Sequence, residues 1–324
     1  MNNTKIATLK TKKVWHKRMW AYIACGVLIA LSLFLLMQGT ECHVAVIKSR
    51  DRLAAYGADT AALNYGNMTY VDKGEGEVIL SIHGICGGYD QGFDNAANKV
   101  SDYRIIAPSR FGYLGSDAPD DPSPKKQAKA FVELLDILEI DKVFLFATSA
   151  GGTVAIRFAL DYPERTKGLI LISTTAPYYE KPVSYQEYQG PPKFLCNNFG
   201  MWLLRPFFKP LMGMESDTIY GMLPMNERLD GTLIDATVTN IDMARSFYEY
   251  EIEDLKVPSI IFQAKDDLMA KYEMIEQSID RFPNCIFIVF ETGGHLLVGN
   301  SEEINKAMDE FLNEHKSLRS ALPF

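Results

Sequence analysis

The 324 residues are 47% hydrophobic and 11% aromatic, enough apolar material to bury a large core, which argues against disorder as the main state. The net charge is -8, yet the first eighteen residues carry Lys5, Lys10, Lys12, Lys13, Lys17 and Arg18 and no acid, so subtracting those six leaves -14 on the remainder. A body that acidic repels phosphate backbones and excludes nucleic acid as an expected partner.

Residues 19–38 hold no charge and run for about twenty residues, the length a helix needs to cross hydrocarbon. Six basic residues precede the run, against Lys48, Arg50 and Arg52 after it. The expectation is a cytoplasmic tail over 1–18, a transmembrane helix over 19–38 and an extracytoplasmic body held to a lipid bilayer. Trp15 and Trp20 fall at the inner interface. A cleaved signal peptide is the competing reading, but the apolar run exceeds the usual h-region and no small-x-small site follows it cleanly. Glu41 directly before Cys42 argues against a lipoprotein cleavage box. Cys25, Cys42, Cys86, Cys196 and Cys285 lack the paired short spacing of a zinc site or disulfide framework, so free thiols are expected.

Residues 39–66 suit a stalk with a helix over 51–62 leading into the body, and regular strands are expected from Asn67 onward. Short apolar runs rich in β-formers lie at 68–71, 78–82, 104–107, 143–146, 169–172, 260–262 and 286–290. Most lack clean alternation, which implies burial on both faces, as in a parallel sheet covered by helices on each side. One helical pattern runs over 123–140, with Ser123 as cap, Pro124 at the first helical position, and Ala128, Phe131, Val132, Leu135 and Leu138 on one face. A second runs over 150–162 and is stopped by Pro163. The alternation breaks over 176–256, where Pro191-Pro192, aromatics and methionines accompany no convincing strand, so an inserted helical cap is expected there. Within it 193–212 is apolar, but Arg205, Lys209 and two prolines argue against a second span. The α/β core then comprises 67–175 and 257–318.

Phe146-Ala147-Thr148-Ser149-Ala150-Gly151-Gly152 joins an apolar strand directly to a helix, with a serine flanked by small residues at the turn. A turn that lifts a nucleophile from a strand's carboxyl end is strained, and neighbours two positions away must be small to avoid collision. A serine hydroxyl is a poor nucleophile until a base takes its proton. Of five histidines, His16 precedes the apolar span, His43 follows it, His315 sits in a charged final helix, and His83 belongs to a glycine-rich loop. That leaves His295, in Thr292-Gly293-Gly294-His295 just past the strand ending at Phe290. An acid must fix the imidazole's tautomer, and Asp266 and Asp267, adjacent after the strand at 260–262, both qualify. His83-Gly84-Ile85-Cys86-Gly87-Gly88 follows the strand at 78–82, and its backbone amides can turn toward Ser149. The amides of Ile85 and Ala150 are the expected oxyanion donors, each worth about 3 kcal/mol in comparable sites. His83 reads as structural, and Cys86 has no elbow around it. The loop 107–116 can wall a pocket, but its Ser109 and Ser116 join no strand to a helix.

In this order of loop, nucleophile, acid and histidine the chain resembles the α/β-hydrolase superfamily over 68–318, about three quarters of its length. Members typically show Gly-x-x-Asp after the strand that precedes the acid. Ala264-Lys265-Asp266-Asp267 fits with alanine in place of glycine, which selects Asp267. Ala147 likewise replaces a usual glycine. Serine at the elbow departs from haloalkane dehalogenases and epoxide hydrolases, which use aspartate there. The resemblance implies an α/β-hydrolase fold, with a mostly parallel sheet, helices on both faces and an inserted helical cap. It also implies acyl transfer to water through Ser149, His295 and Asp267, with His83, Gly84 and Gly151 as motif support and no cofactor or metal. A small acyl compound, an ester before others, is the expected substrate. Thioesterases, amidases and carbon–carbon bond hydrolases share the fold, and the alternative from another class is a non-catalytic binding protein tethered to the membrane.

Overall fold

The computed structural model describes residues 2–100 and 102–316, with the backbone alone for 2–14, 16 and 17. The basic side chains expected in the tail up to Lys17, and the final residues 317 and 318 of the expected core, lie outside that description. The chain divides into two compact units, Met1–Ile47 and Lys48–Phe324. The first is filled by α1 (Asn2–Ala54). The stretch Arg18–Ala54 reaches a mean hydropathy of 2.3 in its most apolar window, none of it buried. An apolar helix that satisfies its own backbone hydrogen bonds is the form a bilayer tolerates, and a signal sequence shares that composition.

The second unit corrects one expectation. Instead of a helix over 51–62, α1 ends at Ala54, Gly57 turns the chain at φ 60°, and β1 (Asp59–Leu63) begins. Its Ala-rich sequence has little β-propensity of its own. Pairing with β2 (Gly66–Lys73) decides the matter, since Ala61 and Leu63 alternate inward against the core while Asp59 pairs with Tyr70.

The other strands fall where the apolar runs predicted: β3 (Glu77–Ile82), β4 (Tyr103–Pro108), β5 (Val143–Thr148), β6 (Thr166–Ile172), β7 (Ser259–Ala264) and β8 (Cys285–Phe290). They form one eight-stranded sheet in the order β1-β2-β4-β3-β5-β6-β7-β8. β3 to β8 pair in parallel, and β2 is antiparallel to both of its neighbours.

Side chains alternate across the sheet because successive strand residues point to opposite faces. Leu80, Ile82, Leu145, Ala147, Leu169 and Leu171 join one core cluster with α3 (Pro124–Ile137) and α4 (Gly151–Asp161). Ile79, Phe144, Phe146, Ile170 and Phe262 join a second with α2 (Tyr89–Ala97) and the final helix Ser301–His315. Each fully buried Leu, Ile or Phe contributes roughly 1.5–3 kcal/mol. Ser123 caps α3 as its sequence predicted, accepting from the Lys126 N–H.

Between β6 and β7 the described residues contain no strand and only short helices, among them Asn198–Leu204, Leu229–Ile234 and Asn240–Arg245. The apolar segment 193–212 is broken into four pieces, with Pro206 and Pro210 among the breakers, and no piece approaches membrane length.

Candidate active site

Four carboxyl-terminal strand ends converge. β5 runs directly into Ser149, β3 into His83 and Gly84, β7 into Asp266 and Asp267, and the loop after β8 carries His295. The C-terminal rim of an open parallel sheet is where such folds assemble ligand sites, because loops from several strands meet there.

Ser149 has φ 51°, a left-handed conformation that costs a non-glycine residue of order 1–3 kcal/mol. Two hydrogen bonds hold it, from its own N–H to the Ile172 carbonyl (3.1 Å) and from the Gly152 N–H to its carbonyl (3.0 Å). Gly151 is required by the same turn. A Cβ there would lie 2.5 Å from the Ile82 carbonyl oxygen and 2.7 Å from that of His83, both backbone atoms that cannot step aside.

His295 Nε2 lies 3.0 Å from Ser149 Oγ, and His295 Nδ1 lies 2.9 Å from Asp267 Oδ2 and 3.1 Å from its Oδ1. A carboxylate only accepts, so Nδ1 carries the proton and Nε2 is left to accept from the serine hydroxyl. Asp267, 4% exposed, also accepts from the backbone N–H groups of Met269 (2.8 Å) and Ala270 (3.0 Å) and from Gln263 Nε2 (3.2 Å). Those bonds fix the carboxylate's orientation. The neighbouring Asp266 turns elsewhere: its carboxylate accepts from the N–H groups of Gly294 (2.8 Å) and Gly293 (3.3 Å), holding the loop that presents His295.

Gly84 lies against the nucleophile, with a built Cβ 3.0 Å from Ser149 Cβ. Among the described residues neither the Ile85 nor the Ala150 backbone N–H has an acceptor, so both sequence-predicted donors are free for a ligand oxygen. His83 is fully buried. Its Nδ1 donates to the Gly84 carbonyl (2.8 Å), and its Nε2 accepts from the Arg110 N–H (2.9 Å). Burial, with the positive charge of Arg110 adding to it, drives its pKa well below the usual histidine value, so it is a neutral structural residue. Burial pushes the Cys86 thiol up to about 12, leaving it un-ionised near neutrality. Ser109 is buried, its hydroxyl oxygen accepting from the Tyr89 N–H.

Several supporting residues carried no motif. Arg110 donates to both Asp235 oxygens, and Arg228 to both Asp90 oxygens (3.1 and 2.7 Å), all four side chains being buried. Gln91 Oε1 accepts from the Gly84 N–H at 2.8 Å. Arg228 and Asp235 come from the segment between β6 and β7, where nothing in the local sequence marked them. Apolar side chains at the rim stay exposed beside His295 and Asp267, namely Leu268, Met269, Leu296 and Val298. A separate cavity of about 450 Å³, lined by Arg50, Leu53, Tyr89, Leu114 and Glu227 among others, shares no residue with this site. Among the described residues no group of three or more His, Cys, Asp or Glu is arranged to hold a metal ion.

Residues 77–300 match the family model for the alpha/beta hydrolase fold. An uncharacterised hydrolase of Bacillus subtilis (strain 168) is 26% identical over 265 residues, covering 74% of this chain and 92% of its own length. A 2-hydroxy-6-oxononadienedioate/2-hydroxy-6-oxononatrienedioate hydrolase of Paraburkholderia phymatum is 26% identical over 273 residues, covering 76% and 90%. Among solved structures, an esterase from Exiguobacterium antarcticum superposes with a TM-score of 0.62 at 19% identity, over 78% of this chain and 98% of that one.

Proposed function

The chain belongs to the α/β-hydrolase family, and on that premise we propose that it is a serine hydrolase that cleaves a carboxylic ester or related acyl compound through an acyl-enzyme on Ser149. The observation that carries this reading is the continuous path from Ser149 Oγ through His295 to Asp267, at 3.0 and 2.9 Å, beside two unpaired backbone N–H groups.

In this mechanism Ser149 Oγ attacks the carbonyl carbon as His295 Nε2 takes the hydroxyl proton. The N–H groups of Ile85 and Ala150 receive the negative charge that develops on the carbonyl oxygen. The tetrahedral intermediate collapses, His295 gives its proton to the leaving oxygen, and the alcohol departs. Water then attacks the acyl-enzyme with His295 as base, and Ser149 leaves with the returned proton as the acid is released. Asp267 keeps Nδ1 protonated throughout and stabilises the imidazolium. The exposed apolar residues at the rim favour an acyl group with substantial hydrocarbon.

A second reading is hydrolysis of a carbon–carbon bond next to a ketone. It is favoured by the dienedioate hydrolase relative, which matches over most of its own length. The same serine, histidine and donors serve a ketone carbonyl, so substrate panels decide between the two.

We further propose that the apolar part of α1 anchors the hydrolase in a bilayer, with the N-terminus cytoplasmic and the catalytic unit outside. The support is the helix's length and hydropathy and the six basic residues before it.

A fluorophosphonate probe tests the central claim. It labels the wild type and leaves Ser149→Ala unmodified, and ester turnover disappears with the label. A correctly folded wild type that resists the probe removes Ser149 as a nucleophile.

A further inference from the structure

The carbonyl oxygen of Gly84 is held from one side. Arg110 Nη2 donates to it at 3.1 Å, and so does His83 Nδ1 at 2.8 Å. The His83 ring is itself set by the Arg110 backbone N–H, which donates to Nε2. The Gly87 N–H, at 3.3 Å, is a third and longer donor from the loop itself, so the two shorter holds on this carbonyl both involve Arg110. The Gly84–Ile85 peptide bond is trans, and across a trans peptide the C=O and the following N–H point in opposite directions. Fixing the Gly84 carbonyl toward Arg110 turns the Ile85 N–H away from it, which accounts for that N–H having no acceptor while its own peptide oxygen has three donors.

Arg110 is in turn fixed by a buried acid from the segment between β6 and β7. Its Nη1 and Nη2 lie 2.5 and 2.6 Å from the two Asp235 oxygens, and the Tyr113 hydroxyl donates to the same carboxylate at 2.5 Å. Asp235 is wholly buried and opens a five-residue π-helix, Asp235–Thr239, a wide turn often found at functional sites. Around it the two segments are joined by backbone bonds, from the Gly231 N–H to the Gly112 carbonyl (2.9 Å) and from the Leu114 N–H to the Glu227 carbonyl (3.0 Å). Tyr113 packs on Gly231 so closely that a Cβ there would overlap its ring at 2.1 Å.

Resting on the serine-hydrolase reading, we propose that Arg110, locked by Asp235 and Tyr113, is a positioning residue that sets the Gly84–Ile85 peptide plane so that the Ile85 N–H is presented to the substrate's developing oxyanion. It touches no reacting atom. Its guanidinium couples the placement of the segment bearing Asp235 to the quality of the oxyanion hole, so a shift of that segment is felt at Ser149 without any direct contact.

The test uses the full chain in detergent. Arg110→Met removes the guanidinium's bond to the Gly84 carbonyl, leaving those from His83 and Gly87, but strands a buried Asp235, so Arg110→Met/Asp235→Leu accompanies it, because removing both partners of a buried pair is often near neutral for stability. Molecules competent to react are counted by fluorophosphonate titration. Per titrated site, kcat on a p-nitrophenyl ester falls roughly 10- to 100-fold, less than the roughly 10²- to 10³-fold for outright loss of an oxyanion donor because the N–H is misdirected and not removed, while KM stays within about threefold. Affinity for a trifluoromethyl ketone, whose adduct on Ser149 carries the oxyanion, falls by a similar factor. A crystal structure of the double variant shows the Gly84 carbonyl turned from its present direction.

A variant with kcat per site within about threefold of wild type, or with the carbonyl unmoved, overturns the proposal. If the wild type neither labels nor turns over esters, the hydrolase reading fails instead, and the carbonyl's direction in the variant still decides whether Arg110 sets this peptide.

Discussion

Ser149 Oγ and His295 Nε2 lie 3.0 Å apart although 146 positions separate them in the chain. Each stands at the end of a different parallel strand, and β6 and β7 lie between those strands in the sheet. The hydrogen bond therefore depends on loops that reach inward along the sheet's rim, and the acid after β7 stands between the two.

The two adjacent aspartates hold different bonds, and their variants separate. Asp267→Asn puts an amide against His295 Nδ1 and favours the wrong tautomer, so kcat on an ester falls roughly 10³- to 10⁴-fold. Asp266→Asn keeps an oxygen for the N–H groups of Gly293 and Gly294 and costs about tenfold or less. Steady-state kinetics of both variants check the ranking, and the reverse order exchanges their roles.

Gly151 admits no side chain. Gly151→Ala forces a Cβ within 2.5 Å of the Ile82 carbonyl oxygen, and β3 is central in the sheet and cannot retreat. Destabilisation of roughly 1–3 kcal/mol, the usual range for overpacking, is expected in denaturant unfolding. An alanine variant as stable as wild type would show that the elbow has more slack than its geometry implies.

His83 ties stability to pH. Its native pKa is depressed by burial and by Arg110, so below about pH 6.5, the ordinary histidine value, the unfolded chain takes up a proton that the native protein refuses. The contribution of neutral His83 is complete above that pH and declines as pH falls toward the depressed native value. The slope approaches about 1.4 kcal/mol per pH unit from this one group. Unfolding free energies for wild type and His83→Asn between pH 7 and pH 5 give the difference, and parallel curves contradict the assignment.

Topology is read with protease on intact cells. An external catalytic unit is digested while the tail survives. Full protection of the unit overturns the proposed orientation, and a mature protein lacking residues 19–38 shows that the segment is cleaved.

The periodicity of apolar residues determined much of this architecture, because a strand buried on both faces must be continuously apolar. Seven of the eight strands and the cap of α3 at Ser123 are legible in that way. β1 was not, since Asp-Thr-Ala-Ala-Leu is a strand only through pairing with β2. The small residues around Ser149 announced a strained turn, and elimination among five histidines pointed to His295. The family's Gly-x-x-Asp pattern selected Asp267. Only the tertiary structure decided which aspartate faces Nδ1, because adjacent residues share their sequence context and differ in the direction they point. It alone paired Arg110 with Asp235 and Arg228 with Asp90. A buried charge is chosen for a partner brought close by folding, and nothing in the local chain records where that partner is.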